Sequence, residues 1–317
     1  MLGEILESAG GLAGALGERL AGASLLFLAA AVALHLLKTA VRARAWHNIV
    51  TTAYPDEQLR YRDTLGAYLC GVGVNAVVPA RAGEVVKLGL VKRHAPGTRV
   101  EGLVSTLVTE SAFDTVAGTT AVACGFVLGW ATLGGSILSP LAPVAHHPWL
   151  AVTVVAAAGV VAALAFRRLH GKARTLLREV GRGLALFGHP VQYLRTVVSW
   201  QAGALVLRLG SIACFLGAFH LPVTAQACLV VLAVQCAANS VPLTPNGAGT
   251  QQALLVVALG AGIAAPRIVG FGTGAQLATT VADVALGALA LALVTGSLRW
   301  RSVLPVAEEE LPAPAAT

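Results

Sequence analysis

Charged residues are scarce in this chain, and their scarcity sets the class of protein. Only 12% of the residues are charged and 56% are hydrophobic, with a mean hydropathy of +0.75, whereas soluble domains carry about 25% charged residues. The polar stretches are too short to form a separate soluble domain. The composition therefore predicts an integral membrane protein and excludes a soluble catalytic domain within these 317 residues.

Motifs for catalysis, metals and cofactors are also lacking. The five cysteines lie in apolar runs and show neither CxxC nor Cys/His spacing. There is no GxSxG or HExxH pattern, and His146-His147 has no third ligand nearby. We therefore predict no metal, no cofactor and no enzymatic activity. In such an apolar chain the net charge of +7 indicates topology and lipid contact, not nucleic-acid binding.

The apolar runs predict an all-α, polytopic membrane helix bundle with about six to eight membrane segments. Residues 1–19 form a lead-in, 20–301 a single transmembrane domain, and 302–317 a disordered tail. Within the domain, the basic and leucine-rich segment 167–186 predicts an amphipathic helix on the cytoplasmic surface. Basic loops after Leu37 and after Val78 place the N-terminus outside and the C-terminus in the cytoplasm of a cell membrane.

One apolar run is too short to cross the membrane. Thr64–Val78 has 15 residues, or about 22 Å as a helix, against a hydrocarbon core of about 30 Å. It ends in Asn75-Ala-Val-Val-Pro79-Ala-Arg81-Ala-Gly83-Glu84-Val-Val-Lys87, and basic residues lie on both sides of it. A re-entrant segment keeps both basic stretches in the cytoplasm. Broken backbone at membrane depth must line protein or a water-filled cavity, so this first break predicts a cavity.

A second break interrupts the apolar sequence after Val241. It reads Pro242-Leu-Thr-Pro245-Asn246-Gly247-Ala-Gly249, and its Pro-x-x-Ala-Gly spacing repeats that of Pro79 to Gly83. Two such breaks entering from opposite sides are typical of an inverted repeat with a transporter site near the midplane. Chance similarity in an Ala- and Gly-rich chain is the alternative, and two full crossings over 223–264 are the alternative to a re-entrant hairpin.

The candidate site residues are those with polar chemistry at the breaks or at membrane depth, where each ionisable group costs at least about 2.5–3.5 kcal/mol. Arg81 and Lys87 suit a phosphate group, and free N–H groups at the glycines add donors. For headgroup binding the candidates are Asn75, Arg81, Gly83, Glu84, Lys87, Asn246, Gly247, Gly249 and Arg208; for proton coupling or cavity lining they are Glu110, Asp114 and Asp283.

A structural explanation competes with this one. Arg208 paired with Asp114 or Asp283, and Arg81 paired with Glu84, would merely hold helices together. The sequence leaves both explanations open.

The first break resembles a known family signature. Asn75-x-x-x-Pro79-x-Arg81-x-Gly83-Glu84-x-x-Lys87 is similar to the N…P-x-R-x-G-E-x-x-R/K motif of the lysylphosphatidylglycerol synthase transmembrane-region family, whose members are flippase-like. Arg42-x-Arg44-x-Trp46 and Glu110-x-x-x-Asp114 agree with it, and the second break resembles the family's P-G-G-x-G-x-x-E motif. The chain departs from the family at Asn246 for a glycine, Gln252 for a glutamate and Ser111 for an arginine, and an arginine is missing near Gln276.

The resemblance implies a protein that moves or handles lipids, here a stand-alone member without the aminoacyltransferase domain. The expected function is a lipid translocase that binds an anionic, phosphate-bearing headgroup, polyprenyl-phosphate-linked or phospholipid, between the two breaks. The alternatives are a non-catalytic membrane partner of a glycosyltransferase or lipid-modifying enzyme, docked through 167–186, and an intramembrane lipid-modifying enzyme that uses Glu84, Glu110 or Asp114. The lipid's identity, the direction of its movement and the oligomeric state do not follow from the sequence.

Overall fold

The computed structural model describes residues 24–78, 81–127, 188–239, 249–260 and 263–295, with the isolated positions 181 and 184. The lead-in 1–19, most of the amphipathic segment 167–186, the tail 302–317, and Asn246 and Gly247 of the second break lie outside these residues. The predictions made for them stay predictions.

The described chain is all helical, as predicted. The helices are α1 (Leu25–Ala53), α2 (Tyr61–Val77), α3 (Ala82–His94), α4 (Val100–Val127), α5 (Pro190–Ala218, with a π-helical turn over Leu194–Val198), α6 (Ala225–Asn239), α7 (Thr250–Leu259) and α8 (Ala265–Thr295). By length and composition, α1, α5 and α8 are apolar enough to cross a membrane. The architecture is a helical membrane bundle.

The first helix is longer than the sequence predicts. The span was expected to end at Leu37 and a polar loop to follow, but α1 continues to Ala53. That prediction was wrong because Lys, Arg and Ala are good helix formers and their side chains here find partners inside the bundle. The helix ends at Ala53, with Tyr54 as its C-cap immediately before Pro55, since proline disfavours the α conformation in the residue that precedes it.

The first break lies where the sequence predicts it. α2 ends at Val77 and α3 begins at Ala82, with Arg81 between them in the left-handed region at φ 56°. Asn75 contacts Gly83, and Gly71 contacts both Gly83 and Lys87. These pairings run in opposite directions along the two helices, so α2 and α3 form an antiparallel hairpin. Whether the hairpin enters and leaves one membrane face stays a prediction.

The small-residue motif in α2 serves helix packing. A Cβ on Gly71 would lie 2.8 Å from the carbonyl oxygen of Gly83, and one on Gly73 would lie 2.7 Å from the Cα of Gly287. The absent side chains let α3 and α8 approach α2 on two faces, as small residues do between membrane helices. The hairpin is thereby fixed against the later half of α8.

Apolar side chains form two separate cores. One contains Trp46, Val86, Leu90 and Leu103 and receives residues from α1 to α5 and the end of α8. The other contains Phe215, Leu216, Leu255 and Phe271 and is built mainly by α5 to α8. The helices α1, α4, α5 and α8 contribute to both cores.

Several ionisable residues of these four helices lie between the two cores. In α4, Glu110 and Asp114 follow Leu103 of the first core and precede Ala121 of the second. The same order places Lys38, Arg208 and Asp283 between core residues of α1, α5 and α8. The bundle therefore has a polar layer between two apolar ones, which we call the polar layer.

Candidate functional site

The tip of the first hairpin is closed by its own hydrogen bonds. The Gly83 N–H donates to Asn75 Oδ1 at 2.7 Å, and a Cβ at position 83 would lie 1.9 Å from the Gly71 carbonyl oxygen. Asn75 and Gly83 therefore build the turn. The expectation that the Gly83 N–H is a free donor for a ligand was wrong, because Asn75 occupies it.

Lys87 lies at the centre of a buried network. Its Nζ is 3.0 Å from Glu110 Oε2 and 3.0 Å from Glu84 Oε2, and it lies over the rings of Trp46 at 4.3 Å and Tyr68 at 4.5 Å. With 3% of its surface exposed, this ammonium has charge partners and cation–π contacts. The contact with Glu84 Oε2 is short but lacks hydrogen-bond geometry, so it acts through charge alone.

Glu110 and Asp114 extend the network along one face of α4. Tyr68 donates its hydroxyl to Glu110 Oε1 at 2.7 Å. Arg42 donates Nη1 to Asp114 Oδ1 at 3.0 Å and Nη2 to Asp114 Oδ2 at 2.5 Å, a bidentate pair, and its Nε donates to the Tyr68 hydroxyl at 3.2 Å. The ionic network thus consists of Arg42, Tyr68, Glu84, Lys87, Glu110 and Asp114, with two cations and three carboxylates.

Asp283 belongs to a second, smaller group. Asp283 Oδ1 lies 2.9 Å from His35 Nε2, and Lys38 Nζ lies 3.3 Å from His35 Nδ1. Since an ammonium can only donate, His35 accepts at Nδ1 and donates from Nε2 to the carboxylate. This arrangement links α1 to α8 within the polar layer.

Arg208 pairs with neither predicted carboxylate. Its Nε and Nη2 donate to Gln235 Oε1 at 3.2 and 3.0 Å, while Asp114 pairs with Arg42 and Asp283 with His35. The alternative in which Arg208 neutralises Asp114 or Asp283 was therefore wrong. Arg208 instead lines a cavity of about 20 Å³, together with Lys38, Arg42, Phe113, Asp114, Ala117, Gly118, Gln201, Ala204, Leu205, Leu232 and Cys236.

At the second break the described contacts are made by amides. Gly249 has φ 84°, and its N–H donates to Gln252 Oε1 at 2.7 Å. The amide nitrogen of Gln252 donates to Gln276 Oε1 at 2.5 Å. The Gly249 N–H is therefore also occupied, contrary to the expectation of a free donor. Gln252 and Gln276, where the family resemblance implies a glutamate and an arginine, pair with each other.

The structure brings most of the predicted charged residues together in the polar layer. Glu84, Lys87, Glu110 and Asp114 share one network, and Asp114 and Arg208 line one cavity. Asp283 joins through His35 and Lys38. Arg81 is exposed at the hairpin tip, and Gly249 is exposed at the start of α7. Among the described residues, no cluster of three or more His, Cys, Asp or Glu side chains could hold a metal ion.

The sequence reasoning missed several residues in or beside the polar layer. Lys38 and Arg42 were assigned to a loop, Trp46 was noted only as part of a motif, and Tyr68 and Gln201 were not singled out. The helical spacing of positions 35, 38, 42 and 46 places these residues on one face of a helix. Extending α1 by that periodicity would have identified Lys38, Arg42 and Trp46.

The comparisons agree with this architecture. The model of the family described as the lysylphosphatidylglycerol synthase TM region matches residues 9–287, nearly the whole chain. No curated protein and no solved structure matches the chain. The matched region is the flippase-like membrane part of such synthases and not their catalytic part. With its helical bundle and its polar layer, the chain belongs to the lysylphosphatidylglycerol synthase transmembrane-region family.

Proposed function

We propose that this protein is a lipid translocase of a cell membrane that binds an anionic, phosphate-bearing lipid headgroup inside the bundle. The observation that carries the proposal is the polar layer. It holds ionisable side chains of α1, α4, α5 and α8 between two apolar cores, and its Glu110 pairs with Lys87 of α3. Such groups cost at least about 2.5–3.5 kcal/mol each at the centre of a membrane, and a headgroup that crosses the membrane needs polar partners there.

The outer surface of the long helices suits the acyl chains of the same lipid. Large apolar side chains are exposed on three of them, including Leu26, Val206 and Leu293. A lipid could then keep its chains in the bilayer while its headgroup enters the polar layer. This division of the lipid between surface and interior supports translocation, since the chains need never leave the hydrocarbon.

The first hairpin is proposed to control entry. Arg81 is exposed at its tip and is the first cation that a headgroup from that side would meet. Glu84 is one-third exposed and reaches the buried Lys87. An anion bound near Arg81 would compete with Glu84 for Lys87 and so loosen the contact between hairpin and network. In this proposal the N-terminus faces outward and the hairpin opens to the cytoplasm.

The test is transport by the purified full-length chain in liposomes. Vesicles would carry a trace of fluorescently labelled phosphatidylglycerol or, in parallel, labelled phosphatidylcholine, and a membrane-impermeant quencher would report the fraction on the outer leaflet. We expect the wild type to move the anionic lipid faster than the zwitterionic one. Arg81→Ala and Glu84→Gln should abolish this transport while the protein remains folded in the membrane.

The matched control is Arg62→Ala. Arg62 lies at the start of the same hairpin, and its side chain is 74% exposed with only a long 3.7 Å contact to Asp63, so its loss should leave transport unchanged. Wild-type rates in both Arg81→Ala and Glu84→Gln would overturn the assignment of the hairpin. Absence of transport by the wild type, with a co-purifying lipid enzyme that depends on this chain, would favour the partner function instead.

A further inference from the structure

The cavity beside Arg208 lies where four helices meet. α1 contributes Lys38 and Arg42, α4 contributes Asp114, α5 contributes Gln201 and Arg208, and α6 contributes Cys236. It shares Arg42 and Asp114 with the ionic network, and none of the hairpin residues lines it. It is therefore a separate compartment of the polar layer.

The charges that face this cavity do not balance. Three cations line it, against one carboxylate, Asp114. Arg42 donates to that carboxylate from both of its terminal nitrogens, so the negative charge of Asp114 is largely neutralised. Lys38 reaches Asp283 only through His35. Arg208 donates to the neutral amide oxygen of Gln235 and forms no ion pair with a described carboxylate. The local excess of positive charge favours an anion.

Gln201 supplies an independent sign of a ligand. Gln201 is 1% exposed, and its side-chain amide nitrogen is buried without a hydrogen-bond acceptor among the residues that the structure describes. A buried donor left unpaired is costly, about 1–3 kcal/mol, and exceptions of this kind in native proteins call for an explanation such as a bound water or ion. A buried N–H donor beside excess cations calls for a ligand that offers oxygen acceptors and negative charge.

We propose that this cavity is a binding site for a phosphate group, with Arg208 and Lys38 providing charge and the Gln201 amide providing a directed hydrogen bond. The inference deepens the proposed translocase function and rests on it for the source of the phosphate, a lipid headgroup. A free phosphate anion has the same chemistry and is distinguished by the experiment below. Lys87, one of the two cations that the sequence favoured for this role, is held between two carboxylates and is not part of the site.

The cavity in this conformation is too small for a phosphate group. Its volume of about 20 Å³ accommodates roughly one water molecule, so a phosphate enters only when the helices around it separate. Among the lining residues, Arg208 would gain the strongest new hydrogen bonds when the helices separate. It would exchange one amide oxygen for phosphate oxygens, which accept charge-assisted and bidentate hydrogen bonds. Ligand entry and helix movement are thus coupled at this residue.

The experiment measures the thermal unfolding of the purified full-length protein in detergent as phosphate-bearing probes are added. The probes are inorganic phosphate, with chloride at equal ionic strength as the reference, and short-chain phosphatidylglycerol, with short-chain phosphatidylcholine present in parallel. A probe that binds only the folded protein raises the midpoint, and at a given concentration it raises it more when its affinity is higher. We expect phosphatidylglycerol to raise it more than phosphatidylcholine.

Two variants assign the effect to the cavity. Arg208→Gln and Gln201→Leu should each raise the phosphatidylglycerol concentration needed for half of the effect by about tenfold, the loss expected for one hydrogen bond to a charged group. Gln201→Leu should not lower the midpoint without ligand, because it removes an unpaired buried donor. The matched control is Gln251→Leu, the same substitution at a residue 8% exposed that does not line the cavity, and it should keep the wild-type response.

The outcomes separate the two proposals. Stabilisation by phosphatidylglycerol but not by inorganic phosphate identifies a headgroup site, and stabilisation by both identifies a site for phosphate in general. If Gln201→Leu lowers the ligand-free midpoint and keeps the response to phosphatidylglycerol, Gln201 is structural and the site is wrong. Binding that depends on Gln201 and Arg208, without lipid transport in liposomes, would leave the site standing and reject the translocase. Lipid transport in liposomes, with neither variant changing the response to phosphatidylglycerol, would leave the translocase standing and reject the site.

Discussion

At the first break the N–H of Gly83 donates to the side-chain amide oxygen of Asn75. At the second, the N–H of Gly249, the corresponding glycine of the shared Pro-x-x-Ala-Gly spacing, donates to the side-chain amide oxygen of Gln252. The same backbone group is thus satisfied by the same chemical group in both regions. Beyond that bond the regions differ, because the first continues into Lys87, Glu84 and Glu110 and the second into Gln276.

Both regions pack on α8, at different places. Gly73 of the first hairpin contacts Gly287, and Leu255 and Gln252 of α7 lie against Gly272. The first region thus docks on the later half of α8 and the second on its earlier half. This placement suits two broken helices that enter from opposite sides, and the inverted repeat stays a prediction. A similar helix break can therefore be stabilised with or without charged side chains. The charged residues at the first break need an explanation other than the break itself.

The largest effect is expected from removing charge at the first region. Glu110→Gln leaves the buried ammonium of Lys87 with Glu84 alone, and breaking a buried ion pair from one side costs about 3–5 kcal/mol. Equilibrium unfolding in detergent should show that loss. The double variant Glu110→Gln with Lys87→Met should recover part of it, because the unpaired buried ammonium is removed, while the one-third exposed Glu84 loses its charge partner.

The control for this prediction is Glu101→Gln, the same substitution at an exposed position of the same helix, which should change stability by less than about 0.5 kcal/mol. A Glu110→Gln variant as stable as this control would show that the first region does not depend on its charges. The contrast with the second region would then fail.

The next largest effect on stability is expected from substituting the glycines of the two breaks. Gly83→Ala would place a Cβ 1.9 Å from the Gly71 carbonyl oxygen, so α2 and α3 must separate, at a cost of about 1–3 kcal/mol. Gly249→Ala meets no described neighbour within 4 Å but must adopt φ 84°, a sparsely populated backbone region that costs about 1–3 kcal/mol. Unfolding measurements should find both variants destabilised.

Transport should distinguish these two glycine variants, since only Gly83→Ala alters the charged hairpin. The control is Gly203→Ala in α5, where a Cβ meets nothing within 4 Å and alanine should be neutral or stabilising by up to about 1 kcal/mol. Equal transport by Gly83→Ala and Gly249→Ala would argue against a special role for the first break.

The smallest effect is expected at the second region. A double-mutant cycle with Gln252→Ala and Gln276→Ala should give a coupling energy of about 0.6 kcal/mol, the average for side-chain hydrogen bonds between membrane helices. The measurement is again unfolding in detergent. A coupling of several kcal/mol would mean that the amide pair stabilises the fold as strongly as the ion pairs do, and the two regions would then be energetically alike.

The apolar periodicity of the sequence was enough to predict the bundle and the position of the first break. Pro79 and the short run before it reveal the break because both act locally on the backbone. The predicted end of α1 was wrong because basic residues were assumed to be exposed. Arg42 is instead paired with Asp114, which lies 72 residues later in the chain. Contacts between distant positions leave no local pattern.

The same limit applies to the candidate site. Glu110 and Asp114 could be placed on one face of a helix by their spacing, but their partners could not be named. Arg208 was correctly singled out as a cation in an apolar run, and its partner Gln235 was not foreseen. Gln201 had no signal at all, since an amide within a helix is unremarkable until its burial is known.

The most direct test of the central claim is a cryo-electron microscopy map of the protein in nanodiscs rich in phosphatidylglycerol. The account predicts density for a headgroup phosphate in the polar layer, with its oxygens about 2.8 Å from the side-chain nitrogens of Arg208 and Lys38. The helices around that cavity should be farther apart than in the present structure. A phosphate bound at the second break, beside Gly249 and Gln252, with the Arg208 cavity still too small for a phosphate group, would contradict the claim.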